Sequence, residues 1–128
     1  MRNYDDIESE DCYDMAVEWL HARDYEKAID CLKRSIALNP NFVYAYVTLA
    51  QAQARSGRLS SAVDTLLHAL RVDPAFDRLH WLIAKYAHKR GDIPTALAHV
   101  NAAIDMTGSP LYLRGREIIL NARKRGRP

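Results

Sequence analysis

Long apolar runs are missing from this chain. No stretch approaches the roughly 18 residues that cross a bilayer, so a spanning helix is excluded. Cysteine is scarce: Cys12 and Cys31 stand alone in 128 residues, with no C-x-x-C and no paired Cys/His spacing. That leaves no disulfide scaffold and no common structural zinc site, and it suits two buried or half-buried thiols in a reducing compartment. No Gly-rich phosphate loop occurs, and no Ser/His/Asp arrangement can be argued from the residues present. No pair of the five histidines has the H-E-x-x-H pattern, and His80 and His88 lie eight apart, so they read as surface or packing residues with no metal. The expectation is therefore a protein without catalysis, cofactor or metal. The opening MRNYDDIESED is acidic and polar, unlike a secretory signal or a transit peptide, and the expected location is cytoplasmic.

Net charge is also small, at +2, because 18 Lys/Arg nearly balance 16 Asp/Glu, yet the charge is unevenly spread. Residues 1–42 hold five Lys/Arg against ten Asp/Glu; residues 43–128 hold thirteen against six. Such polarity favours an acidic partner at the C-terminal half or head-to-tail self-association, unless it is only solvated helix surface.

What the chain does have is a repeat. From Val43 to Phe76 an apolar stripe runs through Ala45, Leu49, Ala50 and Gln53 and breaks at Gly57. A second stripe follows through Leu59, Ala62, Val63, Leu66, Leu67 and Leu70, closed by Asp73-Pro74. Both have the three-and-four spacing of an amphipathic helix, and Gly and Pro are helix stop signals. A shift of thirty-four aligns Ala28, Ala62 and Ala96; Leu32, Leu66 and Val100; Ile36, Leu70 and Ile104. Met15, Leu49 and Ile83 align too, each followed by alanine, and Pro40 aligns with Pro74; the third copy slips, with Gly108 in that place and Pro110 two residues late.

This period and these positions resemble the tetratricopeptide repeat (TPR) family over roughly Ser9 to Pro110. The early large residue of the family's first helix is represented by Cys12, Tyr46 and His80, and its late aromatic survives only as Trp19. The resemblance implies an all-α fold, a right-handed α-solenoid of antiparallel helix pairs with about seven helices. Its expected parts are a flexible acidic lead at 1–8, repeats at 9–42, 43–76 and 77–110, a capping helix at 111–123 and a basic tail at 124–128. Asp5, Asp6 or Ser9 would cap the first helix and Asp24 the second, with Met15, Ala16 and Trp19 facing inward. In the last segment Leu111, Ile118, Ile119 and Ala122 form the expected stripe, and Gly115 weakens the helix by up to about 1 kcal/mol relative to Ala.

In TPR proteins the first helix of each pair lines a concave groove. Carried over by position, the groove residues would be Tyr13 from the first copy, Tyr44, Thr48, Gln51 and Arg55 from the second, Arg78, Trp81, Lys85 and Lys89 from the third, and Tyr112 from the last helix. Around them would stand Glu10, Asp14, Val17, Val47, Leu82 and Arg116. The groove is then aromatic and basic over copies two and three and acidic at copy one. That suits an acidic and apolar segment of another protein, held by a non-enzymatic adaptor. An alternative packs some of these rings between neighbouring helices. If the rings are free, Trp81→Ala with Lys85→Ala weakens binding and leaves thermal stability nearly unchanged. The family's two-carboxylate clamp is not expected: the matching positions Tyr13, Val17, Thr48, Arg78 and Leu82 supply one cation, and a shift by one copy, to Val47, Gln51, Leu82, Tyr112 and Arg116, again supplies one.

Two other readings are carried. One is a self-assembling scaffold joined through its acidic and basic ends. The other is DNA binding through Arg123-Lys124-Arg125-Gly126-Arg127-Pro128, which resembles the R-G-R-P core of an AT-hook; nucleic acid is the weaker of the two.

Overall fold

The computed structural model describes residues 3–125, which contain seven helices and no strand. These are α1 (Tyr4–His21), α2 (Tyr25–Leu38), α3 (Val43–Arg55), α4 (Leu59–Val72), α5 (Asp77–Arg90), α6 (Ile93–Thr107) and α7 (Pro110–Arg125). Packing runs between consecutive helices, α1 on α2 through to α6 on α7, with lighter contact between α1 and α3. This is a stack of helical hairpins, an α-solenoid.

The repeat explains the stack. The alanines at the helix crossings, Ala16, Ala28, Ala50, Ala62, Ala84 and Ala96, are all fully buried. Their small side chains let paired axes approach to about 8–9 Å. Leu32, Leu66 and Val100 fill the adjoining space, also without exposure. Three core clusters follow: two join adjacent hairpins, and the third joins the last hairpin to α7. Polar side chains are also built into this interior, among them Thr65, which donates to Oε1 of Gln53, the glutamine that replaces the family's aromatic, at 2.7 Å.

Three local features differ from the expectation. Residues 4–8 are helical, not a loose lead. Asn3 caps α1 by accepting from the Asp6 backbone N–H at 2.8 Å, and Asp6 reaches back to the Asn3 N–H. Arg34 holds Glu8 at 2.6 Å, and buried Ser9 and Ser35 exchange side chain-to-carbonyl hydrogen bonds at 2.7 and 2.8 Å. Met15 does not face inward; it is 55% exposed, while its counterparts Leu49 and Ile83 are buried against the preceding hairpin. Leu67 is 40% exposed for the simpler reason that it follows Leu66 and points off the packed face. The turns match: Gly57 and Gly91 have φ of 86° and 87°, and in the first hairpin Arg23 takes the same left-handed place at 60°.

The same position pair recurs nineteen residues apart in each hairpin, as Cys12 and Cys31, Tyr46 and Thr65, His80 and His99. In the third hairpin the imidazoles stack with centroids 5.2 Å apart and Nδ1 atoms 2.9 Å apart, so one nitrogen donates and the other accepts. Burial depresses both histidines below their ordinary range; Asp77 pulls His80 back up, and His80 pushes His99 further down. The unfolded chain binds these protons near pH 6.5 and the folded chain does not. Stability present above that pH is therefore lost as the pH falls through the depressed folded values. Urea titrations at pH 7.5 and 5 are expected to show this loss. The variant His80→Tyr with His99→Thr, which borrows the pair of the second hairpin, should show a shallower pH slope.

Candidate functional site

The groove positions of α3, α5 and α7 converge on three adjoining hollows. One of about 270 Å³ is lined by Gln51 of α3, Arg78, Trp81, Leu82, Lys85 and Tyr86 of α5, and Leu111 and Tyr112 of α7. A second, of about 170 Å³, lies between Gln51, Ala54 and Arg55 on α3 and Lys85, Tyr86 and Lys89 on α5. The third, of about 130 Å³, is more apolar and is bounded by Trp81, Lys85, His88, Gly115, Ile118 and Ile119. Lys85 borders all three, and no carboxylate lines any of them.

The cations reach these places by helical spacing. Lys85 and Lys89 are four apart on α5, and Arg78 is two turns before Lys85. All three, with Arg55, are exposed. The nearby carboxylate of Asp77 is engaged, since it accepts from the Tyr112 hydroxyl at 2.5 Å. Burial and that hydrogen bond push the Tyr112 phenol up to about 12, so it stays a donor. Burial also raises Tyr86, while Arg55 and Arg78 pull it down. The surface thus presents fixed positive charge beside apolar ring faces.

The ten sequence-derived positions divide. Gln51, Arg55, Arg78, Trp81, Lys85, Lys89 and Tyr112 border the hollows. Tyr13 is half-buried with its ring 5.0 Å from Phe42, and its hydroxyl accepts from Thr48, which is itself only 7% exposed. Tyr44 is 56% exposed and meets Phe76 edge-on. Two aromatics pack between helices instead of standing free. Trp81 lies 5.2 Å from Tyr112, and Tyr112 is 7% exposed. Gly115 makes this possible: an added Cβ would run into the Trp81 ring. Its lack of a side chain, costly for an isolated helix, is what lets α7 close on α5. The packed face of α7 is accordingly Tyr112, Gly115 and Ile119, whereas Leu111 and Ile118, expected inside, are 48% and 59% exposed. Tyr86 was not among the expected positions, although it follows Leu82 by one helical turn and so shares its face.

A model of the family described as Tetratricopeptide repeat matches residues 20–86, just over half the chain. The chain belongs to the tetratricopeptide repeat family. Among curated proteins it is 34% identical over 76 residues to the TPR repeat-containing thioredoxin TTL4 of Arabidopsis thaliana, covering 59% of this chain and 11% of that one. It is 26% identical over 83 residues to the peroxisomal targeting signal receptor of Saccharomyces cerevisiae, covering 65% of this chain and 14% of the receptor. The chain therefore spans only a small fraction of the length of these relatives. Among solved structures, the first TPR of Spaghetti (RPAP3), bound to the HSP90 peptide SRMEEVD, superposes with a TM-score of 0.84 at 12% identity, covering 93% of this chain and 95% of that one. The Sgt2 TPR domain of Aspergillus fumigatus gives 0.81 at 22% identity, covering 94% and 85%. The Yersinia enterocolitica secretion chaperone SycD, in complex with a peptide of the translocator YopD, gives 0.80 at 15% identity, covering 89% and 93%.

Proposed function

We propose that this chain is a non-enzymatic interaction adaptor whose α3–α5–α7 groove holds an acidic and apolar segment of another protein. The observation that carries this reading is the set of three adjoining hollows centred on Lys85, with Arg55, Arg78 and Lys89 around them and no acidic lining residue. Carboxylates of the partner would face these cations, and an apolar side chain would enter beside Trp81 and Ile118. The solenoid holds these groups in place before binding, so little ordering cost falls on this side of the interface. The peptide complexes of Spaghetti and SycD lend support by analogy of fold. Binding here would not copy the two-carboxylate clamp, because Val17 and Leu82 occupy positions where that clamp has polar side chains. No helix among the described residues is long and apolar enough to cross a membrane.

The test uses a fluorescein-labelled twelve-residue peptide of Glu, Asp and Leu, read by anisotropy at low salt. Lys85→Glu is expected to weaken binding by about tenfold, because it both removes and reverses a charge at the centre of the groove. A peptide with Lys in place of its acids should not bind. Equal binding of both peptides, or affinity within twofold of wild type for Lys85→Glu, would remove this reading.

A further inference from the structure

The outer face of α1 is the surface that the same molecule buries twice elsewhere. Leu49 on α3 and Ile83 on α5 pack against the preceding hairpin and are at most 5% exposed, and Gln53 and Ala87, one turn on from them, are buried as well. Their counterparts on α1 are Met15, 55% exposed, and Trp19, which is half-buried with the Lys27 ammonium 4.4 Å from its ring centre. Among the described residues no helix covers this side. A shallow hollow of about 310 Å³ lies there, lined by Met15, Glu18, Trp19 and Ala22. The apolar face lies on the most acidic helix, with seven carboxylates and no Lys or Arg between Tyr4 and His21.

At the other end of the stack α7 is the reverse. It carries five Arg or Lys against the single Glu117. The side turned away from α6 bears Leu113, 39% exposed, and a hollow of about 320 Å³ bounded by Glu117, Leu120, Asn121 and Lys124. Sign decides how such faces can pair. By net helix charge, two α1 helices would oppose carboxylates to carboxylates and two α7 helices would oppose mostly cations, while the α7 hollow itself holds one acid, Glu117, and one base, Lys124. Only α1 against α7 brings opposite charges together around apolar centres.

We propose that the partner of the α1 face is the α7 face of a second copy of this chain. The contact is head-to-tail, so a pair of copies leaves one α1 face and one α7 face free and the assembly grows past a dimer. It is independent of the groove and of what the groove holds.

The test is sedimentation equilibrium of the full chain across a wide concentration range, at about 20 mM and about 500 mM salt, which spans strong to weak coupling of surface charges. Mass is expected to rise with concentration past that of a dimer at low salt and to fall back at high salt. Met15→Lys with Glu18→Lys blocks one face, and Leu113→Glu with Lys124→Glu blocks the other. All four side chains are exposed, and circular dichroism checks that both variants stay helical. Each variant alone should be monomeric, and an equimolar mixture should form a 1:1 dimer that grows no further. A wild type that stays monomeric throughout, or stops at two copies, overturns the proposal, as does a mixture of the two variants that remains monomeric. Lys85→Glu should leave the mass unchanged; loss of association in that variant would place the acidic helix in the groove and overturn the α1–α7 contact.

Discussion

Trp81→Ala is expected to lower stability by about 2–4 kcal/mol, a loss read from urea unfolding followed by helix circular dichroism. The indole is half-buried, packs at a tilt on Tyr112 and lies close against α7 at Gly115. Its removal leaves a void that α5 and α7 cannot close without moving, and Tyr112, which the indole backs, also holds Asp77. The variant should therefore loosen the α5–α7 contact and with it the groove. Lys85→Ala, by contrast, alters an exposed side chain and should change stability by no more than about 0.5 kcal/mol while still weakening an acidic partner. This corrects the expectation that Trp81 and Lys85 can be removed together at almost no cost to the fold. An unfolding midpoint for Trp81→Ala equal to that of wild type would show that the ring carries no packing.

Leu66→Ala should cost about 2–5 kcal/mol, the range for a fully enclosed leucine. Leu66 is without exposure and belongs to the central cluster with Val47, Ala50, Ala62, Val63 and Ile83, where α3, α4 and α5 meet. In a stack of hairpins, stability is the sum of each hairpin and its contacts with neighbours, and the middle hairpin makes two such contacts. A cavity there weakens the coupling of both ends, and the midpoint of thermal unfolding should fall on the order of 10 °C. Leu67→Ala, one residue on, should cost less than about 1 kcal/mol, because Leu67 is 40% exposed. Similar losses for the two variants would contradict the packing described.

The difference between Leu66 and Leu67 shows where sequence patterning stops. Both fall within the apolar stripe of α4, since two adjacent leucines satisfy a three-and-four spacing equally well. Which of them meets α3 and α5 depends on the rotation of α4, and a string of letters bounds that only to about one residue. Met15 makes the same point from the other side. Its alignment with Leu49 and Ile83 is sound, but whether it is covered depends on what packs beside α1. The groove divides in the same manner. The basic positions Arg55, Lys85 and Lys89 could be read from the repeat, because a charge that far from the stripe must face solvent. The fate of Trp81 and Tyr112 could not, because α7 lacks the repeat signature and its register against α5 rests on Gly115.

The thirty-four-residue period by itself determined that this chain is a series of helical hairpins. Alanines at the crossings and leucines beside them specify each hairpin through contacts close in sequence, and such contacts are written in local spacing. The tertiary structure decided which aromatic rings became wall and which remained surface, and how α7 closed on α5. Those outcomes rest on contacts between residues more than thirty positions apart, such as Tyr13 with Thr48 and Asp77 with Tyr112, whose geometry emerges only once the hairpins are stacked.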